Sequence, residues 1–401
     1  MPKLDLDPRF AIALTVCVAS VAVAFGAAQA WADDAFVLPE GVFRFTAATT
    51  SAFATQGFDS DGNRVALGSA LGTQVKSAGT VLNSASGGAF PGQAWGALNP
   101  GVSVNASILR EDLAFEYGAS ERVTWSIQVP LYLSSQVKVS PDADMNLAFA
   151  SLNAPGSPVA GSGKVGELFR KLSQGGTHAG PIGDILAGAK VQFLRTGESP
   201  LSTEPGVWRG AFALGAYLPS GTVASPDSND FSTTFAESKS WIVGARTYWD
   251  HQFTPSFYLD LFTEHQYRFA GAAKYLATDP RTATYQVLDV RYRPGIYNHF
   301  EADFTLTPEV FRNLRSDSGL RFAADLSAEG EYTDAPAGYE SLVGRTRPSQ
   351  SAFSVIPYLG VFYTGSPLPV KLKTSYSAVA GGRNSEALSG FTFLAQAYMK
   401  F

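Results

Sequence analysis

Acidic and basic residues recur at alternate positions along much of this chain. Between positions 241 and 332 they include Arg246, Asp250, Asp260, Glu264, Arg268, Asp289, Arg291, Arg293, Glu301, Asp303, Arg321, Asp325, Glu329 and Glu331. Residues two apart share one face of a β-strand, and the residues between these charges are mostly apolar. Charges of both signs on one face can pair with each other, line a polar passage, or hold an ion. Asp59-Ser-Asp-Gly-Asn63 resembles a shortened calcium loop. It lacks the later bidentate Glu that such a loop needs, and Asp-Gly-Asn is also a common tight turn. His178, His251, His265 and His299 have no metal-ligand spacing among them. Asp250-His251 and Glu264-His265 put acid and imidazole on opposite faces of a strand. Gly161-Ser-Gly-Lys164 is followed by Val165, where a phosphate loop needs a hydroxyl, and no Gly-x-Ser-x-Gly elbow occurs. The expectation is a protein that is not an enzyme and carries no metal or cofactor.

The elements that must hold these charges are read from the period of two. Strands are expected over 42–53, 108–117, 123–134, 184–194, 208–218, 241–251 and 257–269. One long strand over 286–307, kinked at Pro294, follows, then 320–332, 353–363, 370–380 and 388–401. The stretch from Val123 to Ser134 has the cleanest alternation. Pro294-Gly295 could instead be a turn between two strands, but the apolar phase runs through it, and an even count suits a barrel with both ends on one side. The fold class is therefore all-β: a transmembrane antiparallel barrel of about twelve strands. Short links after every second strand alternate with longer ones, 56–106 and 138–182 above all, which read as extracellular loops. Val165, Leu168, Phe169 and Leu172 have the spacing of a short helix within the second loop.

Composition agrees with that class. Aromatic residues make up 12% and charged residues only 16%, yet no run after the first thirty residues is apolar enough for a spanning helix. The net charge of -5 argues against a nucleic-acid partner. Lys3 and Arg9 precede an apolar run, Phe10 to Phe25, and small residues follow up to Ala32. This is the order of an export leader, so residues 1–32 are expected to be a signal peptide and 33–401 the barrel. Cys17, the single cysteine, falls inside the leader, which leaves no disulfide framework. At the other end Phe391, Phe393, Ala395, Ala397, Met399 and Phe401 share one strand face.

That last strand resembles the closing strand of bacterial outer-membrane barrels. In those proteins the terminal aromatic is the tag of the barrel-assembly machinery, so Phe401, with Met399 and Phe393, is the expected assembly signal. Three further pieces carry a narrower likeness: 113–130, with Glu116-Tyr-Gly before a strand ending in Pro130; Gly183-Asp184 opening the next strand; and Leu218-Pro-Ser-Gly221 closing the one after. Together they resemble the outer-membrane family named for the phenol meta-cleavage pathway, related in proposed role to fatty-acid and toluene channels. The resemblance implies a channel in the outer membrane of a Gram-negative cell for small hydrophobic or aromatic molecules.

Assigning faces to strands gives an expected lumen. Its lining includes Arg110, Asp112, Glu116, Lys190, Arg209, Arg246, Asp250, Asp260, Glu264, Arg268, Arg291, Arg293, Glu301, Asp303, Arg321, Asp325, Glu329, Lys371 and Lys373. The signs interleave, whereas an ion-selective pore has one dominant sign. Two alternatives to uptake of apolar solutes stay open: a general diffusion porin, and a non-transporting barrel with a structural or surface-interaction role. The expected partners are outer-membrane lipid, the assembly machinery and a small solute.

Overall fold

The computed structural model describes residues 34–69, 76, 98–152, 176–178, 182–199, 202–221, 240–278 and 285–400. The leader, Phe401 and the helix expected at 165–172 lie outside the described residues. Twelve antiparallel strands form the wall: β1 Val42–Ala54, β2 Val102–Ser120, β3 Val123–Pro141, β4 Ile185–Arg195, β5 Trp208–Leu218, β6 Ile242–Thr254, β7 Phe257–Arg268, β8 Tyr297–Leu306, β9 Leu314–Ser327, β10 Gln350–Tyr363, β11 Val370–Arg383 and β12 Ser389–Lys400. Each pairs with its sequence neighbours. β1 and β12 pair from Val42↔Lys400 to Phe53↔Ser389 and close the ring. Closure matters because lipid cannot satisfy an open sheet edge.

Burial alternates along the strands as the sequence predicts. Trp125, Leu214 and Phe391 are 57%, 59% and 58% exposed on the outside, where lipid would cover them, while Gln128, Gln192 and Gln396 are buried inside. The outward rings touch across strands: Phe43 on Tyr117, Phe193 on Trp249, Tyr376 on Phe391. Trp208, Phe253 and Phe257 group with His251 near one end of the wall. Such aromatics suit a membrane interface. Glu111 is a polar exception. It takes the outward parity and accepts a hydrogen bond from Thr49.

The expected long strand over 286–307 is corrected. Only Tyr297–Leu306 lies in the wall; Tyr285–Arg293 leaves it. Pro294 has no N–H for a ladder, and Gly295 passes so close to the Ala328 carbonyl that a Cβ would collide. The departing segment joins Gly271–Thr278, Gly330–Asp334 and Thr346–Arg347 in a four-stranded sheet beyond the wall. That sheet has its own core of Tyr275, Leu288, Val290, Tyr332 and Leu342. Its buried face explains why the apolar phase continued past Pro294. The expected strand over 320–332 likewise divides into β9 and Gly330–Asp334, and β9 begins six residues earlier than expected. β2 and β3 have 19 residues each, longer than expected. A helix, Ala143–Leu152, follows β3.

Links after β2, β4, β6, β8 and β10 gather at one end with the starts of β1 and the end of β12. The opposite end carries the longer links. There Gln56–Phe58, Arg64–Ala66 and Ser385–Glu386 form a small sheet. A cysteine at Ser60, in that sheet's turn, is expected to react with an impermeant thiol reagent on whole cells. One at Ser120 or Ser366, at the short-link end, should react only after the outer membrane is opened. The reverse pattern would invert the topology. The companion position Ala160 lies outside the described residues.

Candidate functional site: the strapped interior of the barrel

Residues 34–41 do not extend away from β1 but cross the interior near its short-link end. Gly41 N donates to Gly118 O, and Leu38 N to Thr124 Oγ1 at 2.8 Å. Gly118 is needed there, because a Cβ would meet the carbonyls of Leu38 and Pro39. Further along, Lys190 Nζ donates to the carbonyls of Asp34 (2.8 Å) and Phe36 (3.1 Å). Gln192 Nε2 donates to Ala35 O (2.9 Å), and Ala35 N donates to Asp250 Oδ1 (2.7 Å). The Arg209 guanidinium lies 3.9 Å from the centre of the Phe36 ring. Ala35 is fully buried against Ala211, Tyr248 and Phe262. This strap therefore reaches from β1 and β2 to β4, β5 and β6. It was missed in the sequence, where Phe36-Val-Leu-Pro39 falls between the leader and the first strand and has no period of its own.

Around the strap the inward charges are matched to each other. Arg44 makes a two-pronged pair with Glu116 (2.5 and 2.7 Å). Arg110 reaches Asp112 Oδ1 at 2.7 Å, and Gln128 donates to the same oxygen. Arg209, 0% exposed, donates to Asp250 Oδ2 (3.2 Å), Ser202 O (2.7 Å) and Gln252 Oε1 (3.4 Å). Arg246 and Glu264 pair at 3.1 Å, with Tyr217 and Gln266 completing that group. Arg268 uses Gln266 Oε1 instead of an acid and lies over Tyr297. Asp260 is buried at the register position between Asp250 and Asp303.

A second network spans β8 to β11. Arg321 holds Glu301 and Asp303, each at 3.1 Å. His299 meets Asp325 through Nδ1 and Glu301 through Nε2, both at 2.7 Å. Tyr358 donates to Asp303 Oδ1 at 2.7 Å, and Lys371 pairs with Asp317 at 2.5 Å. His299 and Asp317 were not among the expected lining. Asp317 was missed because β9 starts earlier than its apolar pattern suggests. His299 could have been found from parity, since it shares a face with Glu301.

Three expected lining residues are corrected. Arg291 is exposed and donates to Ala270 O (3.0 Å) in the outer sheet. Arg293 pairs there with Glu331, the two side chains 48% and 37% exposed. Glu329 is exposed in the link after β9. All three follow from the chain leaving the wall at Pro294. Met399 and Phe393 take the outward face of β12, opposite Phe43 and Thr49.

Toward the long-link end parts of the inner wall on β2 to β6 are apolar. Leu186, Tyr217 and Ile242 pack together on β4, β5 and β6. Ile108 and Tyr132 are buried with inward parity on β2 and β3. In the small sheet at that end, Asp59 is not arranged for calcium. Its Oδ1 accepts from the Asp61 and Asn63 amides at 2.9 and 2.8 Å, and its Oδ2 from Asn63 Nδ2. These bonds hold its carboxyl below the usual range. Among the described residues no cluster suits a metal ion.

Glu386, in the same sheet, is 2% exposed, and its Oε2 has no hydrogen-bond partner. Burial pushes its carboxyl up to about 8 from 4.5. An acid raised in the closed sheet makes closure easiest at low pH. The penalty grows as pH rises from 4.5 and is complete above about 8. A nitroxide at Ser60 should therefore become more mobile between those pH values in the wild type. The Glu386→Gln protein should show no such rise, and equal pH responses in both would contradict the assignment.

No family model and no curated protein matches this sequence. Solved structures match by shape. The COG4313 outer membrane channel from Pseudomonas putida F1 is similar with TM-score 0.50 and 11% identity, covering 93% of this chain and 100% of that one. The translocator domain of autotransporter NalP from Neisseria meningitidis is similar at 0.39 and 8%, covering 91% of this chain and 90% of that one. The CymD monoaromatic hydrocarbon channel gives 0.34 and 10%, covering 91% and 89%. At these identities the likeness is one of shape alone. The chain has the fold of an outer-membrane β-barrel.

Proposed function

We propose that this protein is an outer-membrane channel of a Gram-negative cell for passive or facilitated uptake of small hydrophobic or aromatic molecules. Residues 1–32 serve as the export leader, and the outward face of β12 with Phe401 serves as the assembly tag. The observation that carries the reading is the division of the inner wall. An apolar patch built on Leu186, Tyr217 and Ile242 lies toward the long-link end of β4 to β6, beside the Arg246–Glu264 pair, and the strap with its polar contacts lies toward the other end. An apolar solute gains by leaving water for the patch. A general diffusion porin instead keeps an open bore lined at its constriction by charges that select ions. Here most bases are already neutralised and a backbone segment crosses the interior. The shape likeness to an outer membrane channel agrees with a transport role over a purely structural one.

The test is initial uptake of a dilute radiolabelled monoaromatic by cells lacking other porins. Expression of this chain should accelerate it while leaving arabinose entry nearly unchanged. Fast arabinose entry would favour a diffusion porin. No acceleration of either solute would favour a structural barrel.

A further inference from the structure

We infer that Lys373 is an anion anchor inside the barrel and that the solute it suits is a small aromatic carboxylate. This rests on the proposed uptake of aromatic molecules and narrows it. The inference starts from two lysines on one strand face. Lys371 and Lys373 both point inward from β11, two residues apart. Lys371 is neutralised by Asp317 at 2.5 Å. Lys373 is not: its Nζ sits 3.4 Å from the centre of the Tyr358 ring on β10. Among the described residues no carboxylate, carbonyl or hydroxyl oxygen lies within hydrogen-bonding or ion-pairing reach of it.

The acids that could have turned toward it are already used. Asp303 accepts from Arg321 and Tyr358. Glu301 meets Arg321 and His299. The Tyr358 ring cannot swing away to free another partner. Its hydroxyl is tied to Asp303 at 2.7 Å and Thr305 at 2.5 Å. The tyrosine reaches across β9 only because Gly319 has no side chain, since a Cβ there would strike the phenol. Lys373 thus rests on a fixed aromatic face.

An ammonium has three donors and no acceptor. A ring face attracts the cation but leaves N–H groups for an incoming oxygen. Arg44, Arg110, Arg209, Arg246 and Arg321 each hold a carboxylate nearby. Lys373 is a base in the same wall that holds none, so an arriving anion need not break an existing pair. A carboxylate attached to an aromatic ring suits the position best. Its charge meets the ammonium, while its ring leaves water for the barrel interior, a gain that acetate lacks.

The experiment compares equilibrium binding of radiolabelled benzoate, benzyl alcohol and acetate to the purified full-length protein at neutral pH and low salt. Benzoate should bind the wild type about tenfold or more tightly than either of the others, as a charge-assisted hydrogen bond allows. Lys373→Met should remove that preference and leave benzyl alcohol binding unchanged. Lys373→Arg should retain it, and Lys400→Met, at the exposed end of β12, should not alter it. Unchanged benzyl alcohol binding also shows that the Met variant is folded. A benzoate preference that survives Lys373→Met would overturn the inference, as would acetate binding as tightly as benzoate. If benzyl alcohol binds and benzoate gains nothing, the anchor fails while the uptake reading stands. If neither aromatic binds and neither enters cells, the uptake reading fails as well.

Discussion

A variant lacking residues 34–38 should conduct severalfold more current per channel than the wild type in planar bilayers. The strap crosses the interior and is held there by groups on four strands. These are Thr124 on β3, Lys190 and Gln192 on β4, Arg209 on β5 and Asp250 on β6. Removing it leaves Lys190 and Asp250 facing water, which solvates them, so the wall need not collapse. A single substitution probes the same point. Gly118→Val places a side chain where the Leu38 and Pro39 carbonyls now lie, and it should raise conductance in the same direction. Unchanged conductance in both variants would show that the strap does not limit the passage.

The second large effect separates two arginines that the sequence places in one class. Arg321→Ala should lower the unfolding free energy by about 3–5 kcal/mol, because Asp303 stays buried without its cation and Glu301 keeps only His299. The pairing side chains are 12% and 7% exposed, so solvent screens them little. Arg291→Ala should change stability by no more than about 0.5 kcal/mol, since the residue is exposed in the outer sheet. Urea titration in detergent micelles, followed by gel mobility of the folded barrel, reads both. Similar losses from the two substitutions would return Arg291 to the interior and break the account of the chain's exit at Pro294.

Much of the wall was legible because lipid and bore impose opposite preferences on alternate residues. Trp208–Leu218 needed no adjustment, and the count of twelve followed from parity. The limits of that signal are visible at Tyr285–Arg293. A small sheet with one buried face produces the same alternation as a barrel strand, so the pattern of Leu288, Val290 and Tyr292 could not reveal which core it served. Pro294 and Gly295 held the information, but as a kink and an exit they look alike in sequence. The site was legible residue by residue where strands are regular, as with Arg246 and Glu264. It was not legible where position depends on a segment without periodicity. The strap's contacts are mostly to its backbone amides and carbonyls, which every sequence possesses, and its side chains mark few points, such as Phe36 held under Arg209 and Ala35 packed in the wall.

The most direct measurement of the central claim is crystallographic. Crystals of the protein soaked with bromobenzene should show anomalous bromine density inside the barrel, beside Leu186, Tyr217 and Ile242. That result would place an aromatic solute on the apolar part of the inner wall. Bromine density confined to the lipid-facing surface, with none in the interior at saturating bromobenzene, would contradict the account.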